Sequence, residues 1–451
     1  MSKSTSVNLL SGNIHSSFRQ LALPLAFSFL LYQMNGIVDK YWISFLGDKE
    51  IAAIGVSEQM RLMVFTLGIG FAIGTGVVVA RRIGEGKHEE ANHTANQAIV
   101  TMFFYAIAIC LLFYFNMRNL LDLFGFTGEI QDYSVNYLKG ILWGIPFNFL
   151  IFQTNAIIRS TGNTKYAMII ISLTILINAV LSPLLIFDFI FEGGLGAFGA
   201  GIATSIAQIS GLMISIILIS KGYTNLNFKF KGFKLDLSLI KRITLRGIPS
   251  TLQYLSLFFN RMGMFVVANM IGVETVTSYT LGLSFDLFVF MPIFGAGVAM
   301  EIIAGQNRGA NKIDRIFKYF YSGLLQVSVI IIPMVVGAYF YSDLFSKIFT
   351  NDPNIILQTS EYIAITSLSY IFFGIGIFCT RVVSGAGDTW MSFIMYSSVL
   401  FIIQLPLSYI LVKYYDFGFA GVYWGVFISY VLFAIIGLIL LYSKRWLRIK
   451  L

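Results

Sequence analysis

The chain has 451 residues, 57% of them hydrophobic and only 12% charged, with a mean hydropathy of +0.78. A soluble domain carries about a quarter charged residues, so these values exclude a disordered chain, a collagen-like repeat and an ordinary soluble enzyme. The two cysteines, Cys110 and Cys379, lie in apolar runs and offer neither a disulfide framework nor a Cys-ligated metal site, and the net charge of +9 has to be read from where it sits.

Apolar stretches of the ~20 residues that a bilayer requires of a helix recur along the whole chain. In order they predict spans over Phe18–Phe45, Ser57–Val79, Thr94–Phe115, Tyr133–Ile158, Tyr166–Phe187 and Phe198–Ile219. After a basic segment, 221–246, they continue over Ile248–Ile271, Ser278–Ile303, Ile316–Tyr341, Tyr362–Val382, Trp390–Val412 and Phe419–Tyr442. Hydrocarbon offers no water to an open backbone, so these twelve spans must be helical. Pro24, Pro146, Pro183, Pro249, Pro292, Pro333 and Pro406 fall within them and mark candidate bends. Alternating the spans puts 23 of the 31 Lys and Arg on the side of the termini, and only Lys49, Arg118, Lys347 and Lys413 opposite. The positive-inside rule then makes both termini cytoplasmic, in a multi-pass protein of the plasma (inner) membrane. The positive charge is a topology signal and not a nucleic-acid surface. The run after Arg19 is too long for a removed signal peptide and reads as span one.

An offset of 225 aligns many unusual residues. It carries Pro24 onto Pro249, Asn35 onto Asn260, Gly47 onto Gly272, Gly70 onto Gly295, Gly84 onto Gly309 and Gly162 onto Gly387; an offset of 222 carries Gly196 and Gly199 onto Gly418 and Gly421. This is an internal duplication of six spans, an even number, so both halves enter the membrane in the same sense. The expected fold is therefore all-α, twelve transmembrane helices in two six-helix lobes related by a pseudo-two-fold along the membrane normal. The expected domains are an N-lobe (1–220), a basic cytoplasmic linker (221–246) and a C-lobe (247–451).

The repeated segments resemble the multidrug and toxic compound extrusion (MATE) family. Ala22-Leu-Pro24 followed by Asp39 is similar to that family's first helix. Ala80-Arg-Arg-Ile-Gly84-Glu-Gly86-Lys87 and Gly305-Gln306-Asn-Arg-Gly309 are similar to its loops after helices two and eight. Arg159-Ser-Thr-Gly162-Asn163-Thr164 and Ser384-Gly-Ala-Gly387-Asp388-Thr389 resemble its turns before helices five and eleven. The resemblance covers nearly the whole chain and implies secondary-active export of amphipathic or cationic organic compounds, driven by H⁺ or Na⁺. In the DinF-type branch it implies a coupling site in the first lobe, and the corresponding positions here are Asp39, Asn178, Ser182 and Thr204. Ser182 stands where that branch has a second acid. A Na⁺ site prefers several oxygens including carboxylate, so the substitution favours H⁺, with Asp39, Asn178 and Thr204 as the ligands if Na⁺ is used. The helix-seven and helix-ten acids of the NorM-type branch have no counterpart.

An ionised carboxylate at membrane depth costs about 2.5–3.5 kcal/mol on insertion scales. Asp39 therefore reads as a group that loads and releases a proton, or as a structural partner of Lys40. Asn35 lies one turn away as polar support, and Pro24 is the expected hinge. Arg61 and Asp286 occupy equivalent repeat positions; they form a gate, or stay separate, with Asp286 meeting Arg261. Glu58 and Glu301 are expected to be solvated. Tyr32, Met34, Met63, Phe259, Met264, Phe290 and Met291 are candidates for an adaptable substrate cavity, against ordinary packing or lipid contact.

Gly194-Leu-Gly196-Ala-Phe-Gly199 matches a dinucleotide fingerprint but has no strand before it, and Gly84-Glu-Gly86-Lys87 lacks Walker spacing. His15, His88 and His93 lack metal spacing. The sequence thus predicts a transporter and not an enzyme, with no cofactor beyond the coupling ion, small organic substrates and the lipid bilayer as partners, and a monomeric state. Its reading is a multidrug efflux antiporter using H⁺ in preference to Na⁺, working by alternating access; the alternative is a lipid-linked oligosaccharide flippase of the same superfamily.

Overall fold

The computed structural model describes residues 6–43, 45–46, 48–123, 128–189, 192–223 and 233–448; the side chains of 35–40, 43, 48–52, 54–56, 59, 123 and 130 lie outside the description. The described residues form helices and turns without a strand. The first repeat contains α1 (Ile14–Ile43), α2 (Asp48–Gly84), α3 (His88–Leu123), α4 (Glu129–Leu142), α5 (Ile145–Ser160), α6 (Thr164–Ile186) and α7 (Gly196–Ser220). The second contains α8 (Leu237–Asn269), α9 (Val273–Gly309), α10 (Ile313–Phe349), α11 (Pro353–Ser367), α12 (Tyr370–Gly385), α13 (Thr389–Ser398), α14 (Leu405–Lys413) and α15 (Phe419–Tyr442). A π-helical stretch, Val399–Gln404, joins α13 to α14.

The offset of 225 survives in three dimensions. It carries the bounds of α2 onto those of α9, and those of α5 onto those of α12. The paired glycines Gly162 and Gly387 both have positive φ, 85° and 108°, and Gly196 and Gly418 both have φ of 54°. Such backbone favours glycine because it carries no Cβ. Asp352 and Asp388 cap α11 and α13 by accepting hydrogen bonds from backbone N–H groups of the first turn.

Eight of the described helices are long and apolar enough to cross a membrane, and ten spans result if each of two bent pairs counts once. The pairs are α4 with α5 and α11 with α12, each bent by 52°. Spans four and ten, read from the sequence as continuous, are therefore broken, at Trp143–Gly144 and at Leu368–Ser369, again 225 apart. Conversely, α1, α6, α8, α9 and α10 run on through Pro24, Pro183, Pro249, Pro292 and Pro333. Among the eight single helices, α2 and α9 are the most buried, with 61% and 67% of their apolar windows buried against 22% for α3 and 28% for α10.

The chain divides into two compact units: 27–251 with the first seven residues, and 8–26 with 252–451. The expected lobes form most of these units, but the start of α1 stands in the second and the start of α8 in the first. The expected linker is helical from Leu237 onward, and its residues 224–232 are outside the description. Two equivalent glycines admit the exchanged ends. A Cβ on Gly70 of α2 would lie 2.5 Å from the Gly247 carbonyl oxygen of α8, and one on Gly295 of α9 would press into the Ala26 backbone of α1. Backbone cannot yield as a side chain can, so Gly295→Ala is expected to cost about 1–3 kcal/mol by overpacking. Gly337→Ala, a position with nothing within 4 Å, should not. Thermal unfolding of the two variants checks this, and equal midpoints would remove the close-packing argument.

Candidate functional site

In the first unit α6 and α7 pack closely because small residues let their backbones approach. A Cβ on Gly199 would meet the Leu185 carbonyl, and one on Gly211 would meet the Thr174 hydroxyl. Between these contacts Asn178 Nδ2 donates to Thr204 Oγ1 at 3.2 Å, and Thr204 Oγ1 donates to the Ala200 carbonyl at 3.0 Å. Asn178 and Ser182 are one turn apart on α6 and buried, at 3% and 1% exposure. Asn178 Oδ1 and Ser182 Oγ have no hydrogen-bond partner among the described residues. A buried polar atom without a partner costs about 1–3 kcal/mol, and these two oxygens have none among the described residues. Of the three positions named from the sequence, Asn178 and Thr204 are in contact, and Ser182 lies one turn along α6 from Asn178. Asp39 and Asn35 belong to α1, and their side chains lie outside the described residues. The described oxygens, Asn178 Oδ1, Ser182 Oγ and Thr204 Oγ1, are neutral. Among the described residues no group of three His, Cys, Asp or Glu can hold a metal ion.

The second unit holds a different polar cluster. Asp286 on α9 is 1% exposed. Tyr362 donates to its Oδ2 at 2.7 Å, and Tyr370 donates to its Oδ1. Eight residues of straight helix would separate the two tyrosines by about 12 Å along the axis. The break between α11 and α12 falls between them and lets both phenols reach one carboxylate. A cavity of about 30 Å³, room for roughly one water, adjoins the cluster and is lined also by Arg261, Asn260 and Gln404. Asn260 Nδ2 donates to Gln404 Oε1 at 3.0 Å, while Asn260 Oδ1 has no described partner.

The two members of the expected gate are each engaged inside their own unit. Arg61 pairs with Glu58 at 2.5 Å, and Glu58 accepts a hydrogen bond from Tyr137 at 2.9 Å; Asp286 is held by Tyr362 and Tyr370. Tyr137 and Tyr362 are 225 apart, so the repeats keep a phenol that donates to a carboxylate, supplied by Glu58 in one and by Asp286 in the other.

Pro24 sits inside α1 two residues before the point at which that helix leaves one compact unit for the other. Pro249 holds the same place in α8. Of the cavity candidates, Phe290 lines the small cavity of the second unit. Met264 and Met291 are buried, Tyr32, Met34 and Phe259 are exposed, and Met63 is half-buried.

Two features were missed. Glu301, expected to be solvated, is 9% exposed. It accepts from Arg381 at 3.0 Å and from Ser384 at 2.6 Å. Arg381, within the last turn of an apolar span, was the signal for it. Glu58 is likewise paired and half-buried. At the turn after α2, partial burial raises the Glu85 carboxyl, but hydrogen bonds and charge from Arg82 and Arg81 outweigh it and hold Glu85 below the usual glutamate range.

Comparison with known proteins agrees with the architecture. The MatE family model matches residues 24–184 and 249–410, once in each repeat. The chain is 24% identical over 444 residues to a probable multidrug resistance protein NorM of Thermotoga maritima, covering 96% of this chain and 93% of that one. It is 23% identical over 435 residues to the multidrug export protein MepA of Staphylococcus aureus, covering 96% and 94%. A solved outward-facing multidrug resistance MATE transporter of the MOP superfamily superposes with a TM-score of 0.91 at 22% identity, covering 98% of both chains.

Proposed function

The chain belongs to the MatE family of membrane transporters, and from that premise we propose that it is a secondary-active multidrug exporter exchanging amphipathic or cationic organic compounds for H⁺. The observation that carries the choice of site is the pair of buried oxygens without a partner among the described residues, Asn178 Oδ1 and Ser182 Oγ, with Asn178 hydrogen-bonded to Thr204. In this reading Asp39 is the DinF-like proton carrier and Asn35 supports it. The neutral acceptors of α6 and α7 receive the protonated carboxyl as a hydrogen-bond donor. A carboxylic acid can donate one such bond and a carboxylate none, so loading changes what α1 can bond to. Pro24, at the place where α1 passes between units, is the hinge that converts this change into expulsion of substrate. The two repeats, as twelve spans, then alternate access and the proton leaves on the other side. Both termini are cytoplasmic, in a monomer of the plasma membrane.

The choice of H⁺ over Na⁺ rests on Ser182 supplying a hydroxyl in place of a second carboxylate. Proteoliposomes loaded with a cationic dye and given a pH gradient or a Na⁺ gradient separately provide the test. Export is expected with the pH gradient alone; transport that requires Na⁺ and ignores pH overturns the proton assignment.

A further inference from the structure

A cavity of about 600 Å³ opens where the start of α1 meets the first turns of α10, both in the second unit. His15, Arg315, Lys318, Tyr321, Ser322 and Leu325 line it. None of the described ion pairs includes His15, Arg315 or Lys318. Arg315 is fixed by donating to the Leu9 carbonyl at 3.2 Å and the Gly12 carbonyl at 2.5 Å. The His15 ring is oriented by a 2.8 Å contact of Nδ1 with Ser322 Oγ. Two cations and an imidazole therefore face one opening without a described counter-charge.

The repeat shows that the scaffold does not require this charge. Positions 225 earlier than Arg315 and Lys318 are Glu90 and His93. There Glu90 pairs with Arg82 at 3.1 Å and with Lys87 at 3.2 Å, and His93 lies 3.5 Å from Asp236. Among the described residues, the first unit pairs its charges at this place and the second shows no such pairs. Beyond the basic rim, Leu325, Val329, Ile332 and Val336 are exposed along α10 at helical spacing. On a membrane-crossing helix such a stripe faces acyl chains.

We propose that this cavity holds the headgroup of an anionic phospholipid. The phosphate lies between Lys318, Arg315 and His15, and an acyl chain runs along Leu325 and Val329. Guanidinium and ammonium groups suit phosphate oxygens, basic pockets between membrane helices take such headgroups, and the stripe distinguishes a lipid from a free phosphate.

The test is native mass spectrometry of the full chain with phosphatidylglycerol, phosphatidylcholine or inorganic phosphate. Wild type is expected to retain phosphatidylglycerol in preference to phosphatidylcholine. A His15→Gln, Lys318→Gln double variant should retain it roughly tenfold less, whereas Lys318→Arg and the distant Lys165→Gln keep it. Thermal unfolding checks that the double variant is folded; if it is not, Lys318→Glu at an exposed position carries the same test. Retention unchanged by these charge removals overturns the proposal, as does equal retention of phosphatidylcholine. Displacement of phosphatidylglycerol by an equal concentration of inorganic phosphate overturns the lipid assignment.

Discussion

Asp39→Asn is expected to reduce proton-driven export to background while leaving the protein folded. Asparagine matches the size of aspartate but has no titratable proton, so it stays fixed in one state. Removing a carboxylate from a span also relieves up to about 2.5–3.5 kcal/mol of insertion cost, so expression and thermal stability should be preserved or improved. Dye export driven by a pH gradient, measured beside the melting temperature, separates the two effects. Full export by the variant would end the role proposed for Asp39, and with it the reading of Asn178, Ser182 and Thr204 as its acceptors.

The second large effect concerns folding. Arg381→Leu leaves Glu301 buried without its cation, and breaking a buried pair in this way costs about 3–5 kcal/mol. Glu301 and Arg381 have side chains only 11% and 12% exposed, so solvent does little to screen the orphan. Replacing both, Arg381→Leu with Glu301→Leu, removes the stranded charge and should recover most of the loss. Denaturant unfolding of both single variants and the double variant closes the cycle. A cost below about 1 kcal/mol for Arg381→Leu would place the pair with exposed salt bridges.

The duplication was legible because glycine and proline sit where backbone demands them. Gly70 and Gly295 each admit another helix, and Gly162 and Gly387 share a backbone conformation that favours glycine. The approach of Asn178 to Thr204 was reached through resemblance, and the glycines of α7 explain it physically. The broken tenth span was not legible. Its apolar pattern runs through Leu368 and Ser369 without a proline, whereas the equivalent break in span four is followed by Pro146 at the start of α5. At Pro183, Pro292 and Pro333, also marked as candidate bends, the helix continues without a break. The Glu301–Arg381 pair was overlooked because its members are 80 residues apart and only Arg381, inside an apolar span, signals it. Span seven does not pass as an apolar window among the described residues, because α8 carries polar and charged side chains such as Asn260 and Arg261.

The exchanged ends of α1 and α8 impose an order on biosynthesis. The first unit needs residues up to Thr251, which leave the ribosome soon after α7, so it can be finished while the second half is still being made. The second unit needs residues 8–26, which emerge first and must wait unclaimed until α9 supplies the groove at Gly295. A gene cut between the repeats would therefore yield two incomplete fragments. Each would lack a half-helix carried by the other, and only their joint expression would restore both bundles.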